Sequence, residues 1–511
     1  MFQCKNLPPK APTPPAQRPR LAWPDASIGQ VWLLACLALI WLFLSLTPLP
    51  PNDLWWHMAA GRVMATEGHL ITENRWAFSL PADAPYVYQS WLSELALFWI
   101  WRLGDVPALA LARLLAVCLS FGGVAWYAVR RSGSAPAAAL ALFAAALVSW
   151  NNWTLRPQTL ALLPGAALVV LLAAYVDGRV RARWLAALPV IMVVWVNTHG
   201  SFVLGLALTG MAWLGVALGA RRLLPALTLA TIGSGASTLA NPLGIGIVAY
   251  VRGMLSNPTL QGQFIEWQPP RISYDITSTD FWFFTLVLGI AVLCATGPRH
   301  PSAVDLLWYV ALAWLGFSGV RYAMWFALAI IPLLADRLAA LLPRRESASG
   351  IPALNSALLA ALGLAMFVSL PWFAPARVIG NPRIFAATGP YRWLLSINTP
   401  VAASTWLAAN PIAGRAWIEM SLSSYTMWAA PEERHLADLR VELFPAAVWA
   451  DYFAIAADDA GSLAVITRLG ITHLVLDAGS QKDLAAHLIA TPGWCERYRD
   501  EIAVIVARCG R

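Results

Sequence analysis

Apolar and polar positions alternate along this chain in long blocks rather than at the short period of a soluble fold. Predominantly apolar stretches run over 28–47, 106–129, 135–152, 157–176, 184–198, 200–219, 223–240, 279–296, 302–319, 322–341 and 351–372. Each is near the roughly 20 apolar residues that an α-helix needs to cross a bilayer. The pattern predicts a polytopic α-helical membrane protein with about eleven transmembrane helices. Two polar intervals between the blocks are long, 48–105 and 241–280. Within the first, 54–66 and 89–103 have amphipathic helical character, with Trp91, Leu95, Phe98 and Trp99 on one face. Both read as helices lying along the membrane surface, with 89–103 open to a re-entrant or short spanning alternative.

The block pattern ends near residue 373. Beyond it, helical stretches (400–409, 446–456, 460–469, 482–490) alternate with β-type runs at 416–420, 473–476, 495–498 and 502–507. That alternation predicts a C-terminal α/β domain over 374–511. The expected organisation is a proline-rich cytoplasmic tail (1–27), a transmembrane domain (28–373) whose first outer loop is 48–105, and this final domain. The apolar run 28–46 is too long for a signal-peptide core and lacks a small-x-small cleavage site, so it reads as a retained anchor.

Composition agrees with the pattern. The chain is 59% hydrophobic and 12% charged, against about 25% charge in soluble domains. Its formal charge of +8 does not point to nucleic acid, because the basic residues sit at helix ends and no basic face carries interleaved aromatics. They sort by side instead. With the N-terminus in the cytoplasm, the inner loops hold Arg130-Arg131, Arg179/Arg181/Arg183, Arg221-Arg222, Arg299 and Arg337/Arg344/Arg345. The outer loops hold scattered single arginines: Arg62, Arg75, Arg156, Arg271 and Arg321. This asymmetry sets the frame, and an odd number of crossings puts the C-terminal domain outside the cytoplasm. Cys495 and Cys509 are candidates for a disulfide there, although a simple hairpin register does not set them opposite each other. No CxxC or His/Cys cluster marks a metal, and no GxGxxG or P-loop marks a nucleotide.

In that frame the distinctive polar groups collect on the outer side: Asn52/Asp53/His57, Gln89/Glu94, Asn151/Asn152/Arg156/Gln158, Asn197/Thr198/His199, Glu266/Gln268 and Arg321/Tyr322. Ionisable groups in or near a bilayer are costly, so their convergence predicts a cavity opening outward between the helices. Arg113, inside an apolar block, must face a partner or water. Each group also has a plain structural role open to it. Asp53 is placed to cap the helix that starts at Leu54; Trp55 and Trp56 are placed as interfacial belt residues. Glu94 has Arg62 or Arg102 as a pairing partner, Glu266 reads as loop surface, and Arg156 and Arg321 as interfacial arginines.

The run Asp53-Leu54-Trp55-Trp56-His57, followed by Gly61-Arg62, Gly68-His69-Leu70-Ile71 and Trp91-Leu92-Ser93-Glu94, resembles a group of bacterial membrane proteins with a D-x-W-W-H box. Phe444-Pro445, Trp449-x-Asp451-Tyr452, Pro492-Gly493-Trp494 and Tyr498-x-Asp500 extend the likeness over nearly the whole chain. The layout of first helix, acidic outer loop, bundle and C-terminal α/β domain is similar to the GT-C superfamily of glycosyltransferases. The resemblance implies a protein of the bacterial plasma membrane that moves a sugar from a polyprenyl-phosphate-linked donor to an extracytoplasmic acceptor, whether glycan, lipid or protein. It makes Asp53 the general base. Substrate would then be held by Trp55, Trp56, His57, Glu94, Arg113, Arg156, His199, Glu266 and Arg321, with the arginines on the phosphate and the indoles on sugar or lipid. No cofactor is implied. Many GT-C enzymes carry a second acid beside the first in this loop, where this chain has Asn52, so a metal-dependent variant is disfavoured while a divalent ion stays open. A transporter or flippase for lipid-linked glycans, and a non-catalytic envelope assembly protein of the same fold, are the alternatives.

Overall fold

The computed structural model describes residues 26–86, 88–257, 262, 265–298, 300–342, 351–377, 379, 382–458 and 461–510. The tail up to residue 25, and with it Cys4, as well as Arg299, Arg344 and Arg345, lie outside the described residues. A helix stands at each of the eleven apolar blocks. By length and composition, seven can cross a membrane: Ile28–Leu46, Trp91–Ser132, Ala135–Asn152, Pro157–Val176, Phe202–Gly219, Thr279–Thr296 and Val320–Leu341. Pro352–Val368 makes an eighth when taken with its bent continuation Pro371–Arg377. The helices at 184–198, 223–240 and 302–319 are shorter than that length test requires.

The helix Ala323–Leu341 runs through the middle of the bundle, with every residue from Ala323 to Arg337 buried. Close approach around it is bought by small residues. A Cβ on Gly165 would lie 2.6 Å from the Trp325 ring, so this crossing admits only glycine.

The segment 89–103 is helical from Trp91 and meets the following span at a kink within Trp91–Ser132, where Gly104 and Asp105 are non-helical. Asp105 takes φ 56 and ψ −153 there, and its carboxylate accepts from Val106 N–H and Trp101 Nε1–H, each at 2.8 Å. Gly104 and Pro107 explain the break, since one loosens the backbone and the other lacks the donor for a continuous ladder. The helix Leu54–Glu67 lies against the first turns of Trp91–Ser132; a Cβ on Gly61 would come within 2.1 Å of the Glu94 carbonyl.

The C-terminal part carries a four-stranded sheet, β1 Arg415–Ile418, β2 Ile471–Asp477, β3 Trp494–Arg499 and β4 Ala503–Arg508, in the order β1-β2-β4-β3. β1 and β2 are parallel, and the other pairs antiparallel. The two parallel strands are joined by a long helical connection, as that geometry requires. A bulge between Glu496 and Tyr498 shifts the last hairpin, and Cys495 bonds Cys509 with their Cα atoms 5.2 Å apart. The simple register argued against that pair, and Cys495 does face Ala507 in the ladder; the bond runs diagonally to Cys509, just past the end of β4.

This domain is tied to the first loop by backbone. His435 N–H donates to the Trp76 carbonyl and Phe78 N–H to the His435 carbonyl, both at 3.0 Å. Leu49 and Leu394–Ser396 exchange a similar pair of bonds.

Candidate active site

The helix Leu54–Glu67 starts one residue after Asp53, whose side chain makes no capping hydrogen bond. The loop before it is fixed from the far end of the chain. Ser424 Oγ accepts the Trp56 N–H at 3.0 Å and donates to the Asn52 carbonyl at 2.6 Å. Asp53 is thereby free of the helix end and turned into a cavity of about 270 Å³.

The cavity brings together six of the expected residues: Asp53, Trp56, His57, Arg156, His199 and Arg321, with Glu266 as the seventh. Arg156 Nη1 reaches Asp53 Oδ2 at 3.4 Å and Glu266 Oε2 at 3.0 Å. Arg321 Nη1 takes the other Glu266 oxygen at 3.2 Å, and its guanidinium lies 4.2 Å above the Trp267 ring. Trp56 Nε1–H points at Asp53 Oδ1 at 3.4 Å. Glu266, the loop-surface candidate, is therefore the second carboxylate of the site.

Burial raises the Asp53 carboxyl above its usual range, with Arg156 pulling down and Glu266 pushing up. Burial works the same way on Glu266, but Arg156 and Arg321 together outweigh it and hold this acid at about 2. Two carboxylates on one arginine thus differ in proton affinity. His199 is pushed down to about 3 by burial and then by Arg321 and Arg156, so it presents a neutral imidazole; its Nδ1 faces Ser201 Oγ at 2.9 Å.

Three expected site residues lie elsewhere. Glu94 is buried and bonded to His57, Oε1 to Nδ1 at 3.0 Å, pairing with neither Arg62 nor Arg102. It orients the imidazole, which lies 3.4 Å from the Trp56 ring, and does not line the cavity. Arg113 donates to the carbonyls of Leu44, Thr47 and Pro48 and so closes the C-terminal end of the first helix. Trp55 is buried against Tyr425, with Nε1–H on the Pro50 carbonyl at 3.2 Å. None of these three lines the cavity, and their hydrogen bonds run to other parts of the protein.

Several cavity residues were not foreseen: Tyr88, Tyr250, Met254, Trp267 and, from the C-terminal domain, Leu439, Val441 and Glu442. Only Glu442 had a signal, its place two residues before the Phe444-Pro445 pair. Among the described residues the buried Asn52 Oδ1, Gln89 Oε1, Gln158 Oε1 and Arg156 Nε have no partner, as in a site shaped for a polar ligand. A second cavity of about 150 Å³ adjoins the first, sharing Gln158, His199, Tyr250 and Arg321 but otherwise lined by apolar groups such as Val203, Leu204, Val251, Leu315 and Trp325. A polar chamber with two arginines therefore opens onto an apolar one.

No family model and no curated protein sequence matches the chain. Solved structures do. The oligosaccharyltransferase of Archaeoglobus fulgidus in its apo form is 12% identical with a TM-score of 0.57, over 89% of this chain and 70% of that one. ArnT from Cupriavidus metallidurans, bound to undecaprenyl phosphate, is 16% identical with a TM-score of 0.52, over 95% and 99%. The archaeal enzyme in complex with zinc and sulfate superposes with a TM-score of 0.54 at 13% identity, over 93% and 73%. At such identities the likeness is one of fold, and the fold is the GT-C type.

Proposed function

We propose that this protein transfers a sugar from a polyprenyl-phosphate-linked donor to an acceptor at the outer face of the membrane. The observation that carries the reading is a carboxylate with raised proton affinity, Asp53, facing two arginines where a polar cavity meets an apolar one. ArnT, of the same fold, is bound to undecaprenyl phosphate in its structure, and the two joined cavities suit such a ligand. The isoprene units nearest the phosphate occupy the apolar cavity. The phosphate lies against Arg321 and Arg156, whose planar guanidinium groups match its oxygens.

Asp53 Oδ takes the proton of the acceptor hydroxyl as its oxygen attacks the anomeric carbon. The bond from that carbon to the phosphate oxygen breaks, and its electron pair leaves on the phosphate, where Arg321 and Arg156 stabilise it. No strong acid is needed for such a leaving group. Glu266 holds both guanidinium groups in place before the phosphate arrives.

The fold also hosts metal-containing sites, one relative being solved with zinc. The residues of this chain do not fit one. Asp53 and Glu266 both give an oxygen to Arg156, and no group of three His, Cys, Asp or Glu gathers among the described residues. No step is routed through a metal.

The test uses the full-length protein in nanodiscs with a panel of undecaprenyl-phosphate-linked hexoses. Asp53→Asn is expected to lower donor consumption by about 10²–10⁴-fold with the melting temperature unchanged. Equal rates for variant and wild type overturn the reading, and a transporter is distinguished by lost movement across vesicles without any transfer.

A further inference from the structure

Glu442 enters the cavity from the C-terminal domain, on the short turn Val441–Leu443. It is half-buried, lines the cavity together with Tyr88, and its chief charged neighbours are Asp53 and Arg440. Arg440 is engaged by Asp438 through two bonds of 2.8 and 2.5 Å. Among the described residues Glu442 has no ion-pair partner, so nothing structural requires a carboxylate there. Burial raises its proton affinity, and the charge of Asp53 adds to that.

Position then decides what Glu442 meets. With the phosphate on Arg156 and Arg321, a single displacement brings the attacking oxygen to the anomeric carbon from the side away from them. Glu442 lines the cavity beside Tyr88, and among the described residues Arg156 and Arg321 pair with Asp53 and Glu266, not with Glu442. Tyr88 stands edge-on to Trp56 at 4.9 Å, and Tyr250 lies 6.5 Å beyond it, giving this wall flat aromatic faces. Carboxylates accept hydrogen bonds from hydroxyls and repel phosphates and carboxylates. Aromatic faces pack against sugar rings.

We propose that Glu442 and Tyr88 form the acceptor subsite and that the acceptor is an uncharged glycan end, whose neighbouring hydroxyl donates to Glu442 while the reacting hydroxyl meets Asp53. This rests on the transferase reading above.

The experiment uses the full chain in nanodiscs, undecaprenyl-phosphate hexoses as donors, and two acceptor probes, octyl glucoside and its 6-phosphate. The wild type is expected to glycosylate the neutral probe and spare the phosphorylated one. Glu442→Gln is expected to raise the KM for octyl glucoside about tenfold and to change kcat far less. Tyr88→Phe raises the same KM less, and Glu442→Lys moves the preference toward the 6-phosphate. An unchanged acceptor KM in Glu442→Gln, a fall in kcat with no rise in that KM, or wild-type preference for the phosphorylated probe overturns the assignment. A wild type that consumes no donor at all defeats the transferase reading and this assignment with it, a result distinct from the others.

Discussion

At one end of the bundle Arg131 closes on Asp305 with two bonds of 2.8 and 2.5 Å, and Asp177 approaches its Nε at 3.6 Å. Ser302 caps the same aspartate, and Tyr127 donates to Asp177. At the other end Arg156 is shared between Asp53 at 3.4 Å and Glu266 at 3.0 Å around a cavity. The residue types are the same. The first cluster is shut, with side chains 13% and 7% exposed for Arg131 and Asp305; the second is open on its acidic side, 28% for Asp53 and 37% for Glu266. Bidentate geometry with full satisfaction locks helices together, whereas long, shared contacts leave charges able to change partners when an anion arrives. The difference separates a closed ion cluster from one that lines a cavity.

The comparison can be broken from either side. Asp305→Asn leaves Arg131 half-paired in a buried place and is expected to cost about 3–5 kcal/mol of stability while donor turnover per folded molecule stays at the wild-type rate; thermal melting beside kinetics checks both halves. Arg321→Ala should do the reverse, cutting kcat by about 10²–10³-fold with little change in melting. Were both variants to lose stability alone, the outer cluster would be structural too.

A smaller effect concerns pH. Asp53 has a raised proton affinity, so its reactive, ionised form fills in only as pH climbs past the ordinary aspartate value of about 3.9. The ascending limb of kcat/KM should therefore lie above that value. Glu266, held at about 2, contributes stability above the unfolded value of about 4.3, and this is lost as pH falls toward 2. An ascending limb at or below the ordinary aspartate value would show that Asp53 is not the base. Smallest of all, EDTA should leave the rate unchanged, since the arginines already occupy the carboxylates.

Much of this was visible along the chain. The apolar blocks located eleven helices, because lipid demands continuous apolar length. The arginine asymmetry assigned the loops of Arg131, Asp177 and Asp305 to one side, and they meet in space; Asp53, Arg156, His199, Glu266 and Arg321 were assigned to the other, and they meet as well. What stayed hidden depended on partners distant in sequence. A charge in an apolar block reads as functional, yet Arg113 is engaged by three carbonyls and Glu94 by His57. Glu442 escaped notice for the opposite reason: in a polar domain one more carboxylate is unremarked until the fold turns it inward. The break at Gly104 was legible as composition, but not whether the helix beyond it resumed or turned away.

The single hydroxyl of Ser424, which bridges the Asn52 carbonyl and the Trp56 amide, has a consequence for timing. The loop bearing Asp53 leaves the ribosome early, and its anchor about 370 residues later. A nascent chain with its helices already inserted has Asp53 untethered and Glu442 not yet made. The cavity that both line is therefore complete only late in synthesis.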